Sequence, residues 1–228
     1  MNDIKKNLIK IKENIINEES KSNRAKNSVT LIAVSKTHSV ENIKVAYEAG
    51  QNDFGENYLQ ESISKISELQ DLKIIWHFIG RIQSNKLKLI AENYDWIHSV
   101  DKISTLEKIS NYRKGVKENL NICIQVNVDE EKTKSGISFD EVESFIKKAV
   151  KFEGINIRGL MSIPMHKDDY ELQYETFNKI NELFNSLVNK GYKLDTLSIG
   201  MSADYNAAIA AGSTMVRIGT AIFGERIK

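Results

Sequence analysis

Residues whose side chains could do chemistry come directly after short apolar segments of this 228-residue sequence, and Lys36 is the first of them. It follows the apolar segment 30–34 by two residues. A lysine that is partly removed from water has a lowered pKa, and its neutral amine can form a Schiff base with a carbonyl compound. On position alone, a solvated lysine without such a role is the simpler interpretation, because lysines are abundant in this sequence.

A second group of residues, near the C-terminal end, has the composition of an anion site. Ser202 precedes an Ala-rich segment, and Arg217 is followed closely by Gly219 and Thr220. A glycine lets the backbone approach an anion, and the two hydroxyl groups can donate hydrogen bonds. Capping of two helices explains the same residues equally well. A phosphate site on one side and a Schiff-base lysine on the other is the arrangement that pyridoxal phosphate (PLP) requires.

The elements that must position these residues alternate along the chain. A leading helix is predicted over residues 1–20, where Ile4, Leu8, Ile11 and Ile15 recur at helical spacing. Short apolar segments follow, of the kind that forms strands buried on both faces, and amphipathic helical patterns separate them. The predicted strands cover residues 30–34, 53–55, 74–79, 96–98, 121–128, 155–161, 196–199 and 215–218.

Eight strand-then-helix units predict a single α/β domain over residues 1–228, folded as a (β/α)₈ TIM barrel, for which about 250 residues are typical. A doubly wound open sheet is the alternative. The closed barrel is favoured because closure removes the sheet edges and because the composition shows no break. Barrel sites are built from the loops at the C-terminal ends of the strands, and the loops after strands seven and eight often bind phosphate. Lys36, Ser202 and Gly219 all fall in such loops.

Composition excludes several classes of function. The formal net charge of +1 removes the general case for nucleic acid or an anionic membrane as a partner. The single cysteine, Cys123, lies in an apolar run and is interpreted as an inert core thiol. No metal site is expected, because the four histidines lack close metal-ligand spacing. The N-terminus has no apolar leader, so we expect a cytoplasmic protein.

Six ordered motifs carry a resemblance to a known family. They are IAVSKT at 32–37, FGENY at 54–58, WHFIG at 76–80 with QSNK at 83–86, GLM at 159–161, LSIGMS at 197–202 and VRIGT at 216–220. Together they resemble the YggS/PROSC family of PLP-binding, PLP-homeostasis proteins over essentially the whole chain. The resemblance implies a barrel of the alanine racemase N-terminal domain type without the second domain of true alanine racemases.

The resemblance also implies roles for individual residues. Lys36 would hold PLP as a Schiff base, and Arg217 would face the pyridine nitrogen. Three further residues, Ser202, Gly219 and Thr220, would bind the phosphate. A last group would line the cofactor-binding site: Asn57, Met161, Met201 and His77. The chain departs from many relatives at Arg81-Ile82, between Gly80 and Gln83.

The same features bear on whether a bound cofactor would do chemistry. Arg217 keeps its proton, so a pyridine nitrogen hydrogen-bonded to it stays unprotonated and is a poor electron sink. Racemisation also needs acid–base groups on both faces of the substrate carbanion. The sequence ends at Lys228, shortly after Thr220, and leaves no room for the domain that supplies the second group in alanine racemases. We therefore expect no enzyme, but a carrier or regulator that buffers, delivers or retrieves PLP.

Two alternatives stay open at this point. A minimal PLP-dependent amino-acid racemase would take its second base from Tyr58, His77 or a partner subunit. A barrel that binds another phosphate ester would form no adduct on Lys36. The expected partners are PLP and PLP-dependent apo-enzymes, and we expect a monomer because the dimer contacts of racemases come from the second domain.

Overall fold

Eight parallel strands form a closed barrel in which each strand pairs with the next and the last pairs with the first. The computed structural model of the chain describes residues 2–115, 118–129 and 135–225. The strands are β1 (Thr30–Val34), β2 (Asp53–Glu56), β3 (Ile75–Phe78), β4 (Trp96–Val100), β5 (Leu120–Gln125), β6 (Ile155–Met161), β7 (Thr196–Met201) and β8 (Met215–Ile218). The predicted closed barrel is confirmed, and the open sheet is wrong.

Helices surround the barrel, as expected for crossover connections between parallel strands. They are α1 (Asn2–Lys21), α2 (Val40–Glu48), α3 (Leu59–Glu68), α4 (Leu87–Asn93, after a 3₁₀ turn at Ser84–Lys86), α5 (Ile103–Arg113), α6 (Phe139–Ala149), α7 (Tyr170–Asn189), α8 (Tyr205–Ala210) and α9 (Thr220–Phe223). In the described part of the chain, no helix combines the length and the apolar composition needed to cross a bilayer.

The leading helix α1 closes the outer layer beside the last two helices. Its predicted apolar stripe is buried, with Leu8 fully inaccessible to solvent. The helix packs against α2, α8 and α9. Asn7 also donates a hydrogen bond from Nδ2 to the carbonyl oxygen of Ile222 in α9, at 3.1 Å. The predicted extra N-terminal helix is therefore confirmed as part of the barrel's outer wall.

Alternation along the strands divides the core into two parts. Leu31 and Ala33 belong to the large cluster between the sheet and the helices. Ile32 instead joins a second cluster with residues from other strands, and this cluster fills the interior of the barrel: Trp96, Cys123, Met161 and Met215. The period of two in a strand therefore decides which side chains face the barrel interior.

The end of β5 differs from the prediction. The apolar pattern predicted a strand through Val128, but β5 ends at Gln125. Val126 instead forms an isolated bridge with Ile137, which follows Gly136 at φ +117°. The backbone N–H of Val126 still donates a hydrogen bond to the carbonyl oxygen of Met161 in β6, at 2.8 Å.

Candidate functional site

Lys36 follows β1 at the C-terminal mouth of the barrel. Atoms of Ile32 and Val34 lie 2.9 and 3.6 Å from the position of a Cβ on Gly55 of β2, so both side chains are on the inner face of the sheet. Lys36 comes two residues later and continues this row where the strand ends. Its side chain is half-buried. The structure thus places the predicted lysine at the rim of the barrel interior.

A buried lysine on α3 fixes the residue before Lys36. The ammonium of Lys65 donates hydrogen bonds to the carbonyl oxygen of Ser35 and to Oε1 of Glu56, both at 2.9 Å. The hydroxyl of Ser35 donates to the same carboxylate at 2.7 Å. Lys65 is only 5% exposed and Glu56 is fully buried, so these contacts hold the end of β1 away from solvent.

A second carboxylate fixes the residue after Lys36. Oε1 of Glu61 accepts a hydrogen bond from the backbone N–H of Thr37 at 2.7 Å, and it also pairs with Lys65. Thr37 has φ +65°, which is a strained conformation for a β-branched residue. The turn around Lys36 is therefore held on both sides by one ion-pair cluster, defined by Glu56, Glu61 and Lys65.

The Glu56 carboxyl has an unusual environment. Burial raises its pKa, while Lys65, Ser35 and their hydrogen bonds act in the opposite direction. Among the residues that the structure describes, its second oxygen, Oε2, has no hydrogen-bond partner. In the sequence, Glu56 stands out only as part of the FGENY motif, and its pairing with Lys65 beside Glu61 was not predicted. The signal that could have indicated it is the four-residue spacing of Glu61 and Lys65 on α3, which suits a helical ion pair.

Asn57 brings a buried acceptor to the mouth. Its Oδ1 is inaccessible to solvent and has no hydrogen-bond partner in the described part of the chain. A Cβ on Gly80 would lie 2.2 Å from the backbone oxygen of Asn57, so the loops after β2 and β3 can pack this closely only with glycine there. Asn57 lines two cavities, which have volumes of about 640 and 330 Å³. An unpaired buried amide oxygen is costly unless a ligand or water completes it.

Arg217 is held inside the barrel by backbone and hydroxyl groups. Its Nη1 donates to the carbonyl oxygen of Ser198 at 2.6 Å and to the Ser198 hydroxyl at 2.7 Å. Its Nη2 donates to the carbonyl oxygen of Ser162 at 3.0 Å. Burial lowers the pKa of Arg217 to about 10, against the opposing charge of Asp204. The guanidinium therefore remains protonated at neutral pH and is fixed in orientation.

The turn between β7 and α8 carries Ser202. Gly200 has φ +95°, and a Cβ there would lie 2.6 Å from Cβ of Ala208. The carboxylate of Asp204 accepts a hydrogen bond from the backbone N–H of Met201 at 2.6 Å. Burial raises the pKa of Asp204. Ser202 lies half-buried within this tightly held turn.

The turn between β8 and α9 lies beside the Lys36 turn. Ala33 pairs with Ile218, so Gly219 comes level with the end of β1. A Cβ on Gly219 would lie 3.1 Å from the carbonyl oxygen of Val34. Thr220, the first residue of α9, follows directly. The two groups that the sequence singled out, Lys36 and Gly219-Thr220, therefore meet at neighbouring strand ends.

The remaining predicted residues lie at different depths. Met201 ends β7 and pairs in register with Arg217. Met161 ends β6 and is buried in the inner cluster. His77 lies deeper, because its ring stacks on Trp96 at the start of β4, with the ring centroids 5.6 Å apart. The structure thus brings Met201 to the site residues, while His77 contacts groups below them.

Other features within the barrel carry no chemistry of their own. Burial raises the pKa of the Cys123 thiol to about 12, which keeps it protonated and unreactive. Among the described residues, no group of three His, Cys, Asp or Glu side chains could hold a metal ion. Sequence reasoning did not predict that Ser198 and Ser162 hold Arg217. Only the alternation of Ser198 with apolar neighbours in β7 could have indicated that it faces the interior.

Comparison with known proteins places the chain in a family. The model of the family "Alanine racemase, N-terminal domain" matches residues 7–227. The pyridoxal phosphate homeostasis protein of Vibrio alginolyticus is 46% identical over 230 residues, covering 99% of both chains. The protein of the same name from Escherichia coli K12 is 42% identical over 229 residues, covering 99% of this chain and 98% of the relative.

Solved structures agree with the sequence relatives. PipY of Synechococcus elongatus PCC7942 with PLP bound superposes with a TM-score of 0.81 at 34% identity, covering 92% of this chain and 100% of that one. The alanine racemase of Clostridium difficile 630 has a TM-score of 0.76 at 17% identity, over all of this chain but 58% of the racemase, and shares the fold. The chain belongs to the YggS/PROSC family of pyridoxal phosphate homeostasis proteins, which is built on the alanine racemase N-terminal domain.

Proposed function

We propose that this protein binds PLP at the C-terminal mouth of its barrel and serves the homeostasis of the cofactor by buffering, delivering or retrieving it. The observation that carries the proposal is the side-by-side position of the Lys36 turn and the Gly219-Thr220 turn, with Arg217 fixed below them. The names of the relatives and the bound PLP of the PipY structure support the same ligand.

Lys36 would hold the cofactor covalently. Its amine would be the group that condenses with the aldehyde of PLP when the cofactor is bound. The ion-pair cluster of Glu56, Glu61 and Lys65 contacts the backbone on both sides of Lys36. The cluster therefore fixes the backbone position from which the Lys36 side chain extends, so less conformational entropy is lost when the cofactor binds.

Hydroxyl and backbone groups of two neighbouring turns suit the phosphate. Ser202 and Thr220 supply hydroxyl donors, and Gly219 keeps the backbone open to close approach. Both turns follow the strands after which barrels frequently bind phosphate. Asn57 supplies the buried amide whose oxygen lacks a partner, and a rotated amide can present its nitrogen instead. Met161 and Met201 would form apolar walls.

Arg217 would determine what the bound cofactor can do. Three of its N–H groups are used by Ser198 and Ser162, and a guanidinium has five. The remaining ones can donate to the pyridine nitrogen. Arg217 stays protonated at neutral pH, so it donates a hydrogen bond without giving up its proton. A pyridine nitrogen in that state stabilises a carbanion poorly, which favours a carrier without catalytic turnover over an amino-acid enzyme.

The location and partners follow from this role. We infer a cytoplasmic monomer that exchanges PLP with PLP-dependent apo-enzymes. The balanced charge is consistent with a partner surface that is neither nucleic acid nor membrane.

A borohydride trapping experiment tests the proposal. Purified protein is incubated with PLP, reduced with borohydride, digested and analysed by mass spectrometry. We expect a visible absorption band before reduction and a pyridoxyl adduct on Lys36, both lost in Lys36→Ala. Lys44→Ala is the matched control, because Lys44 is an exposed lysine on α2. An adduct on another lysine, or PLP-dependent interconversion of L- and D-amino acids that Lys36→Ala abolishes, would overturn the carrier proposal.

A further inference from the structure

Five side chains from five strands form a continuous row of hydrogen bonds through the interior of the barrel. Nε2 of His77 lies 3.0 Å from Oδ1 of Asp53, and Nδ1 of His77 lies 2.9 Å from Nε2 of His98. Nδ1 of His98 lies 2.9 Å from Oγ of Ser198, which accepts from Nη1 of Arg217 at 2.7 Å. We call this row, Asp53–His77–His98–Ser198–Arg217, the polar chain.

Asp53 and Arg217, at the two ends of the polar chain, determine the positions of its protons when both histidine rings are neutral. A carboxylate only accepts hydrogen bonds, so Nε2 of His77 carries a proton toward Asp53. With neutral rings, Nδ1 of His77 then accepts from Nε2 of His98, and Nδ1 of His98 accepts from the Ser198 hydroxyl. The lone pairs of that hydroxyl are left for Arg217, which can only donate. Each donor therefore points from Arg217 toward Asp53, and both histidines are Nε2–H tautomers.

Because the polar chain is buried, breaking one of its hydrogen bonds carries a large free-energy penalty. The side chains of His77, His98 and Ser198 are all fully inaccessible to solvent. Burial lowers the pKa of His98 well below its usual range, and the charge of Arg217 acts in the same direction. His98 is therefore neutral, and solvent has no access to these three side chains to replace a missing partner. A buried donor or acceptor that loses its partner carries its full desolvation penalty.

The consequence falls on Arg217. Both hydrogens of its Nη1 point at Ser198, one at the carbonyl oxygen and one at the hydroxyl oxygen. The hydroxyl oxygen is a good acceptor only while its own proton is directed at His98. Without that acceptor, the hydroxyl can rotate and its proton competes with the guanidinium. We propose that His98, acting through Ser198, is a positioning residue that fixes the plane of Arg217 toward the cofactor's pyridine nitrogen.

The inference rests on the proposed function for its ligand, but its first test does not. In the apo protein labelled with ¹⁵N, ring nitrogen shifts report the histidine tautomers directly. We expect both His77 and His98 to carry their proton on Nε2. A proton on Nδ1 of His98 would overturn the inference whether or not PLP binds.

Two substitutions at one position provide the second test. Leucine in His98→Leu keeps the bulk but offers Ser198 no acceptor, whereas glutamine in His98→Gln has both an acceptor and a donor. We expect about a tenfold loss of PLP affinity and a shifted absorption band in His98→Leu, with both largely restored in His98→Gln. His166→Leu, an exposed histidine bonded to Asp168, is the control and should change neither.

The possible outcomes distinguish the positioning role of His98 from the proposed binding of PLP. If His98→Leu does not fold, Ser198→Ala supplies the same test, because it removes the hydroxyl and leaves the backbone carbonyl that also holds Arg217. Equal affinity and identical spectra in a folded variant and the wild type would overturn the positioning role. Failure of the wild-type protein to bind PLP would instead overturn the proposed function and leave the tautomer result standing.

Discussion

Replacing Lys65 by methionine tests whether the ion-pair cluster holds the Lys36 turn. The Lys65 side chain is 6% exposed, and its ammonium meets Ser35, Glu56 and Glu61 at 2.9, 2.9 and 2.5 Å. Methionine fills the space but leaves the fully buried Glu56 carboxylate without its cation. Removal of one partner from a buried ion pair costs about 3–5 kcal/mol. We expect Lys65→Met to lose this much free energy of unfolding at neutral pH, or roughly 6–20 °C in Tm.

The loss should depend on pH through Glu56. Burial raises the pKa of this carboxyl, and the charge of Lys65 opposes the rise, so Lys65→Met raises the pKa further. A carboxyl whose pKa is higher in the folded than in the unfolded state destabilises the fold when ionised. The penalty is complete above the folded-state pKa and disappears below the unfolded value of about 4.3. Lys65→Met should therefore be closest to wild type in mildly acidic solution.

Urea unfolding followed by circular dichroism, at mildly acidic and at neutral pH, measures both effects. Lys44→Met removes an exposed lysine of α2 and should stay within about 0.5 kcal/mol of wild type. Adding Glu56→Gln to Lys65→Met removes the unpaired charge and should restore part of the stability. A Lys65→Met variant within about 1 kcal/mol of wild type at neutral pH, or no recovery in the double variant, would refute the reasoning.

Two further predictions concern close packing and burial. Gly80→Ala places a Cβ 2.2 Å from the backbone oxygen of Asn57, so we expect a loss of about 1–3 kcal/mol in thermal unfolding; an unchanged Tm would contradict the packing described for these loops. Burial raises the pKa of Cys123 to about 12, so iodoacetamide at pH near 8 should leave the native thiol unmodified and alkylate it in concentrated urea. Rapid alkylation of the native protein would show that the barrel interior opens.

Most of the fold could be predicted from the sequence, because the strands are short apolar runs between helical patterns. The predicted limits of β1, β6 and β8 agree with the structure. The end of β5 could not be predicted, because the apolar pattern continues past Gln125. Beyond Gln125, Val126 pairs with Ile137, and a local pattern holds no information about such a partner.

The candidate site also has parts that could be predicted from the sequence and parts that could not. The positions of Lys36, Ser202 and Gly219 at the mouth of the barrel could be predicted, because each follows a strand at the end where barrel sites form. The polar chain could not, because its central contact joins His98 to Ser198 across 100 residues of sequence. A search for metal-ligand spacing looks along the chain, so it treats His98 as uninformative. Only the closed barrel brings β4 and β7 side chains together in the interior.

Both buried polar groups act on the surroundings of a functional residue. The ion-pair cluster contacts the backbone of Ser35 and Thr37, and the polar chain ends on Arg217 from inside the barrel. These stabilising contacts are made by residues next to Lys36 and not by its side chain. The Lys36 side chain can therefore be removed without breaking them. For this reason Lys36→Ala should abolish covalent PLP binding with little loss of stability, whereas Lys65→Met should weaken both.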